Sequence, residues 1–193
     1  MATPVPSALL VVDMIGLFDF PEADRLAPAA LRAARNIHTL RERFNDRGWP
    51  VIFANDNFAR WQSDFRELVA MASATPGPAG RIAALLQPLP EDHFVLKPKH
   101  SAFLATALPV LLAKLGVRRI LLAGMALESC VLATAIDANA REYEVAVLRD
   151  GVAGRPELRA STLKVLEGAG IARAVDSARA MAWSARGTRG PPG

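Results

Sequence analysis

The chain has one cysteine, one tyrosine and three histidines among 193 residues. A single cysteine excludes an internal disulfide and a CxxC redox or metal pair, and it points to a reducing compartment, the cytoplasm. No apolar run is long enough to span a bilayer, because Arg119 divides the longest candidate. No positively charged segment precedes the first apolar run, so no signal peptide and no membrane partner are expected. The net charge is only +4 and comes without a basic block. Arg155, Arg159, Arg173, Arg179, Arg186 and Arg189 are spread through the C-terminal part with no stacking aromatics between them. That pattern, with no nucleic-acid motif, excludes DNA or RNA as the expected partner and leaves a small-molecule substrate.

What is present is a large apolar fraction, 51%, against 22% charged residues, which suits one globular domain. It is expected over residues 1–183, followed by a flexible Gly-, Pro- and Arg-rich tail over 184–193. Short apolar runs alternate with longer amphipathic ones. Strands are expected at Ser7–Val12, Pro50–Ala54, Phe94–Leu96, Arg119–Ala123, Glu144–Leu148 and Ile171–Val175. Helices are expected at Pro28–Arg47, Asp64–Met71, Leu104–Leu115, Cys130–Arg141 and Glu157–Glu167. Ser73–Gly80, with two prolines and two glycines, reads as a loop. The alternation predicts a three-layer α/β/α fold: an open, mostly parallel, six-stranded Rossmann-like sheet with helices on both faces.

In such a sheet ligands bind beyond the carboxyl ends of the strands. Asp13 follows the first strand, Lys97 the third, and Cys130 lies just past the fourth. Cys130 is a candidate nucleophile at a helix N-terminus, where the local field lowers a thiol's pKa, so it should react rapidly with iodoacetamide at neutral pH. Asp13 could take the thiol proton, and Lys97 could favour the anionic forms of both. Lys99 competes for the lysine role. His38 and His93 read as structural or exposed, whereas His100 is near enough to touch a substrate.

Three segments carry a family resemblance: Leu9-Leu10-Val11-Val12-Asp13-Met14, Val95-Leu96-Lys97-Pro98-Lys99-His100-Ser101-Ala102-Phe103, and Gly124-Met125-Ala126-Leu127-Glu128-Ser129-Cys130-Val131. In this order and at these separations they resemble the isochorismatase-like cysteine hydrolases from about Ala8 to Val175. The resemblance implies an Asp-Lys-Cys triad on Asp13, Lys97 and Cys130. It favours Lys97 over Lys99, because Lys97 opens the family's Lys-x-x-x-Ser-x-Phe pattern. It also implies a cis peptide at Met125-Ala126, which would aim the Ala126 amide, beside that of Cys130, at a developing oxyanion. Metal-containing nicotinamidases of the family carry an Asp-x-His pair after the second strand. Here Asp56 is followed by Asn57 and Phe58, so no metal site and no cofactor are expected.

The function expected is thioester-forming hydrolysis of a small amide or carbamoyl compound. Asp13 would take the thiol proton and return it to the leaving amine. A vinyl ether hydrolase of the isochorismatase type, which needs no thiol, is one alternative. A non-catalytic metabolite- or partner-binding member is another. Phe18, Asp56, Asn57, Trp61 and Phe103 are the candidate substrate-binding residues, with Phe20, Asn55 and Phe58 nearby. Glu128 and Ser129 could instead cap the cysteine helix. Related hydrolases suggest a homo-oligomer, a dimer or tetramer.

Overall fold

The computed structural model describes residues 7–57 and 61–185. Its first strand, β1 (Ser7–Val12), is a run of small and aliphatic residues with every side chain buried, as a strand covered on both faces requires. Helix α1 (Ala23–Asn45) crosses from it to β2 (Val51–Asp56). Helices α2 (Phe65–Ala74) and α3 (Pro78–Leu85) lead to β3 (His93–Lys97). The second half runs through α4 (Leu108–Lys114), β4 (Arg119–Gly124), a π-helical turn at Leu127–Val131 and α5 (Leu132–Asn139). It then follows β5 (Glu144–Val152), α6 (Pro156–Gly168), β6 (Arg173–Val175) and α7 (Ser177–Ser184).

Among the described residues the strands form one parallel sheet in the order β3-β2-β1-β4-β5-β6. The order reverses at β1, so the crevice between the carboxyl ends of β1 and β4 is the topological switch point. Alternation along β1 divides the core. Leu9 and Val11 face α1, α3 and α7 through Ile37, Phe44, Ile82 and Trp183. Ala8, Leu10 and Val12 face α4, α5 and α6 through Leu112, Val131, Ala135 and Leu166. The expected three-layer α/β/α architecture is the observed one.

Several boundaries differ from the sequence reading, for local reasons. Helix α1 begins five residues before Pro28, which sits inside it and forgoes one backbone hydrogen bond. The expected loop Ser73–Gly80 is shorter. Pro78 occupies the first turn of α3, where its missing N–H has no cost, and Gly80 allows close approach to the Thr75 carbonyl: a Cβ there would lie 2.5 Å from that oxygen. Helix α4 starts at Leu108 rather than Leu104, because Ala105 takes a left-handed φ of 51° that breaks a helix there, and the Leu108 amide donates to Thr106 Oγ1 (3.2 Å). Strand β5 continues to Val152 through a register shift against β4. The expected tail begins too early at Ser184. That residue ends α7, is fully buried, and accepts a hydrogen bond from Ser7 Oγ at its carbonyl. The rest of the expected tail, 186–193, lies outside the described residues, as does Phe58.

Two backbones meet at the switch point. Gly124 has φ +112°, and a Cβ there would lie 2.0 Å from the Val12 carbonyl oxygen. Gly124→Ala should therefore destabilise the protein by about 2–4 kcal/mol in urea unfolding. Gly16→Ala, with nothing within 4 Å of the new Cβ, should stay within about 0.5 kcal/mol. Equal effects at the two positions would disprove the close-approach argument.

Candidate active site

Asp13 leaves β1 with φ 49°, a left-handed conformation uncommon for a residue other than glycine. Its amide donates to the Ala54 carbonyl (2.9 Å), and its Oδ1 accepts the Asp56 amide (2.7 Å). The first residue past β1 is thereby tied to the end of β2. Asn55 makes the same joint from β2: it is buried, donates to the Ile15 carbonyl and accepts the Ile15 amide (3.3 Å). Asn55 is thus a brace for the loop after Asp13.

Lys97 ends β3 with its side chain wholly buried. Its Nζ lies 2.8 Å from Asp13 Oδ2, donates to the Lys99 carbonyl at 2.8 Å, and stands 3.7 Å from Cys130 Sγ. Asp56 Oδ2 is 4.0 Å away. Lys99 is exposed and reaches this cluster only through its backbone.

Cys130 is half-buried within the π-turn, two residues before α5, rather than in the first turn of that helix. The turn is anchored at both ends. Met125 N–H donates to Val12 O (2.9 Å), and Leu127 N–H to Ala153 O (2.8 Å). The Met125-Ala126 peptide is cis. Ala126 O accepts both the Ser129 and Val131 amides, while the Ala126 amide has no hydrogen-bond partner among the described residues.

Electrostatics reverse one expectation. Burial pushes the Cys130 thiol up to about 11, and the charge and hydrogen bond of Asp13 push the same way. Lys97 and Ser129 offset this only in part. The thiol is therefore not a preformed thiolate at neutral pH. The helix-terminus argument fails because the sulfur sits against a carboxylate in a partly dry site. Burial also holds the Asp13 carboxyl above the usual range of an aspartate, with Lys97 drawing it back.

A further network fixes the lysine loop to the cysteine helix. The buried Thr134 hydroxyl donates to the Cys130 carbonyl (2.7 Å) and accepts the Ala102 amide (3.0 Å). Ser101 Oγ bonds Asp137, which also holds Arg141 (3.2 Å). The sequence offers these only as polar residues four and seven beyond the cysteine. Their role emerges once the two segments are adjacent.

The remaining candidates separate. Asp56 adjoins the cluster. Asn57 is buried and accepts the Trp61 amide (3.1 Å), so it shapes its own turn. Trp61 is 61% exposed. Phe103 is buried in the second core, packed on Tyr143 and covered by the Arg141 guanidinium, and so does not line an opening. Phe18 is half-buried against the first core and supports Phe20 (ring centroids 5.6 Å apart). Phe20, by contrast, does line a cleft. This opening of about 340 Å³ lies over the cysteine turn, with Pro21, Glu22, Leu26, Ala126, Glu128, Ser129 and Arg155. Glu128 does not cap the turn; its carboxylate accepts the Arg155 amide (3.2 Å), while Arg155 Nε reaches Glu22 (3.3 Å). A larger cavity of about 620 Å³ opens at the opposite end of the sheet, around Arg119, Glu144 and Arg173 at the strand starts. It is remote from the cluster. Among the described residues no group of three or more His, Cys, Asp or Glu side chains is placed to hold a metal. No helix of the described residues is long and apolar enough to cross a membrane.

The Isochorismatase domain model matches residues 7–181. Uncharacterized isochorismatase family protein YaaI of Bacillus subtilis is 38% identical over 150 residues, covering 78% of this chain and 82% of that protein. The maleamate amidohydrolase of Pseudomonas putida is 29% identical over 154 residues, covering 77% of this chain and 72% of the enzyme. The crystal structure of N-carbamoylsarcosine amidase from Thermoplasma acidophilum superposes with a TM-score of 0.68 at 25% identity, covering 89% of this chain and 96% of that one. The sheet order, the cluster of Asp13, Lys97 and Cys130 at its carboxyl end, and these matches lead to one conclusion: the chain belongs to the isochorismatase family of hydrolases.

Proposed function

We propose that this protein hydrolyses the C–N bond of a small amide or carbamoyl compound through a thioester on Cys130. The observation that carries this reading is the buried Lys97 ammonium, within 2.8 Å of Asp13 and 3.7 Å of the sulfur. It neutralises whichever neighbour holds the negative charge as a proton moves between them. Two family relatives with amide-cleaving names, the maleamate amidohydrolase and the N-carbamoylsarcosine amidase, agree with it.

Because the thiol is pushed up to about 11, attack and deprotonation are one event. Asp13, whose carboxyl is held above its ordinary value, takes the proton as sulfur reaches the carbonyl carbon. The oxyanion forms beside the Ala126 amide, which lines the cleft and has no hydrogen-bond partner among the described residues. The amine leaves, and water then hydrolyses the thioester. The cleft over Ala126 and Ser129 is sized for a small acyl group.

A screen of primary amides, ureas and carbamates, including maleamate and N-carbamoylsarcosine, should yield at least one that is turned over. Cys130→Ala should lose at least about 10³-fold of that activity with its urea-unfolding midpoint unchanged. A variant retaining near-native turnover, or no hydrolysis across the screen, would sink the reading.

Alkylation by iodoacetamide gives an independent check. The wild-type thiol should react slowly at pH 7 and faster as pH rises toward its value near 11. Asp13→Asn removes the negative charge that opposes the thiolate and leaves Lys97 beside it. It should alkylate about tenfold faster than wild type at pH 8 while losing turnover. Slower alkylation of Asp13→Asn would contradict the assigned charge balance.

A further inference from the structure

One polar pair at the sulfur has no part in the mechanism above. His100 Nδ1 lies 3.8 Å from Cys130 Sγ and 3.1 Å from Ser129 Oγ, and Ser129 Oγ is itself 3.8 Å from the sulfur. His100 is exposed and Ser129 lines the cleft, whereas Lys97 meets the sulfur from the buried interior. The sulfur thus has proton-handling groups on two sides. On the inner side both Asp13 oxygens are engaged, Oδ2 by Lys97 and Oδ1 by the Asp56 amide. A carboxylate held in this way can accept a proton from the adjacent thiol. It is poorly free to follow a departing amine into the cleft. His100 is exposed, so its imidazole reaches the sulfur from the solvent side.

We infer that His100 is a second catalytic residue, the general acid that protonates the leaving nitrogen, and that Ser129 positions its ring. The inference rests on the amide-hydrolase reading and replaces Asp13 as the donor to the amine. In acylation the thiol proton passes to Asp13 and the S–C bond forms. As the C–N bond breaks, protonated His100 gives its proton to the nitrogen. In deacylation neutral His100 takes a proton from the attacking water, the C–S bond breaks, and Asp13 returns its proton to the departing sulfur. Both groups end as they began, and amide plus water have become acid plus amine. One group serves each proton, so neither has to cross the face of the tetrahedral intermediate.

The test uses two substrates with one acyl group: the amide cleaved fastest in the screen, and the p-nitrophenyl ester of the same acid, whose phenolate departs without needing a proton. In single turnover, His100→Gln should slow amine release from the amide about 10²-fold. It should leave the p-nitrophenolate burst from the ester within about threefold of wild type. Ser129→Ala should show the same selectivity with a smaller loss. Equal losses on amide and ester would make His100 a positioning or structural residue only, and no loss on either would remove it from the reaction; each result overturns the inference. Inactivity of Cys130→Ala toward both substrates, run alongside, keeps such a result separate from failure of the thioester reading.

Discussion

The ion pair between Lys97 and Asp13 is the constraint on which the carboxyl end of this sheet depends. An ammonium with no exposure is tolerable only where its charge and hydrogen bonds are met. Here Asp13 supplies the charge and the Lys99 carbonyl a further acceptor. Removing one partner of such a pair typically costs about 3–5 kcal/mol, because the other is left charged in a dry place. The pair joins β1 to β3 across the intervening end of β2, whose Asp56 amide completes the bridge. Three successive strand ends are therefore locked in one arrangement before any substrate arrives. The thiol inherits its surroundings from that lock.

The cysteine turn is held by different means. Its attachments are backbone bonds to Val12 and Ala153, and Gly124 lets the two chains meet. The Thr134 hydroxyl bridges the Cys130 carbonyl to the loop that follows Lys97. One small buried side chain thus ties the segment bearing Cys130 to the segment bearing Lys97. Preorganisation of this kind keeps reacting groups within hydrogen-bond reach without reorganisation during the reaction.

Much of this was legible in the sequence, and the limits have physical causes. Asp13, Lys97 and Cys130 were readable because strand ends in a parallel sheet converge, and short apolar runs mark where strands end. Helix α3 is hidden in the sequence because Pro78 and Gly80 look like breakers, although proline in a first turn and glycine at a tight approach both suit a helix. The motif gives the spacing of Phe103 but not its facing; its ring packs in the core beside Tyr143. The sequence points to the loop after β2, at Asp56, Asn57 and Trp61, whereas the cleft over the cysteine turn is lined by Phe20–Glu22 and Arg155; no local pattern tells which loops fold over a switch point. The thiol's raised pKa was unreadable for the same reason. It depends on burial and on a carboxylate 117 positions away in the chain, neither of which local sequence carries.

The resulting site has two unlike sides. Its inner side is buried and charged, with Lys97 and Asp13 beside the sulfur. Its outer side is open: Ser129 and Ala126 line the cleft, and the exposed His100 lies beside Ser129. With the thiol pushed up to about 11, little thiolate stands ready to meet stray electrophiles near neutral pH. The same arrangement separates the tasks of the two sides. On the proposed reading, activation of Cys130 falls to the buried pair of Asp13 and Lys97, and contact with the substrate to the residues that line the cleft. Under the proposed function, changes at Phe20, Glu22 or Arg155, which line the cleft, are expected to alter which compound is accepted without disturbing the buried pair of Asp13 and Lys97.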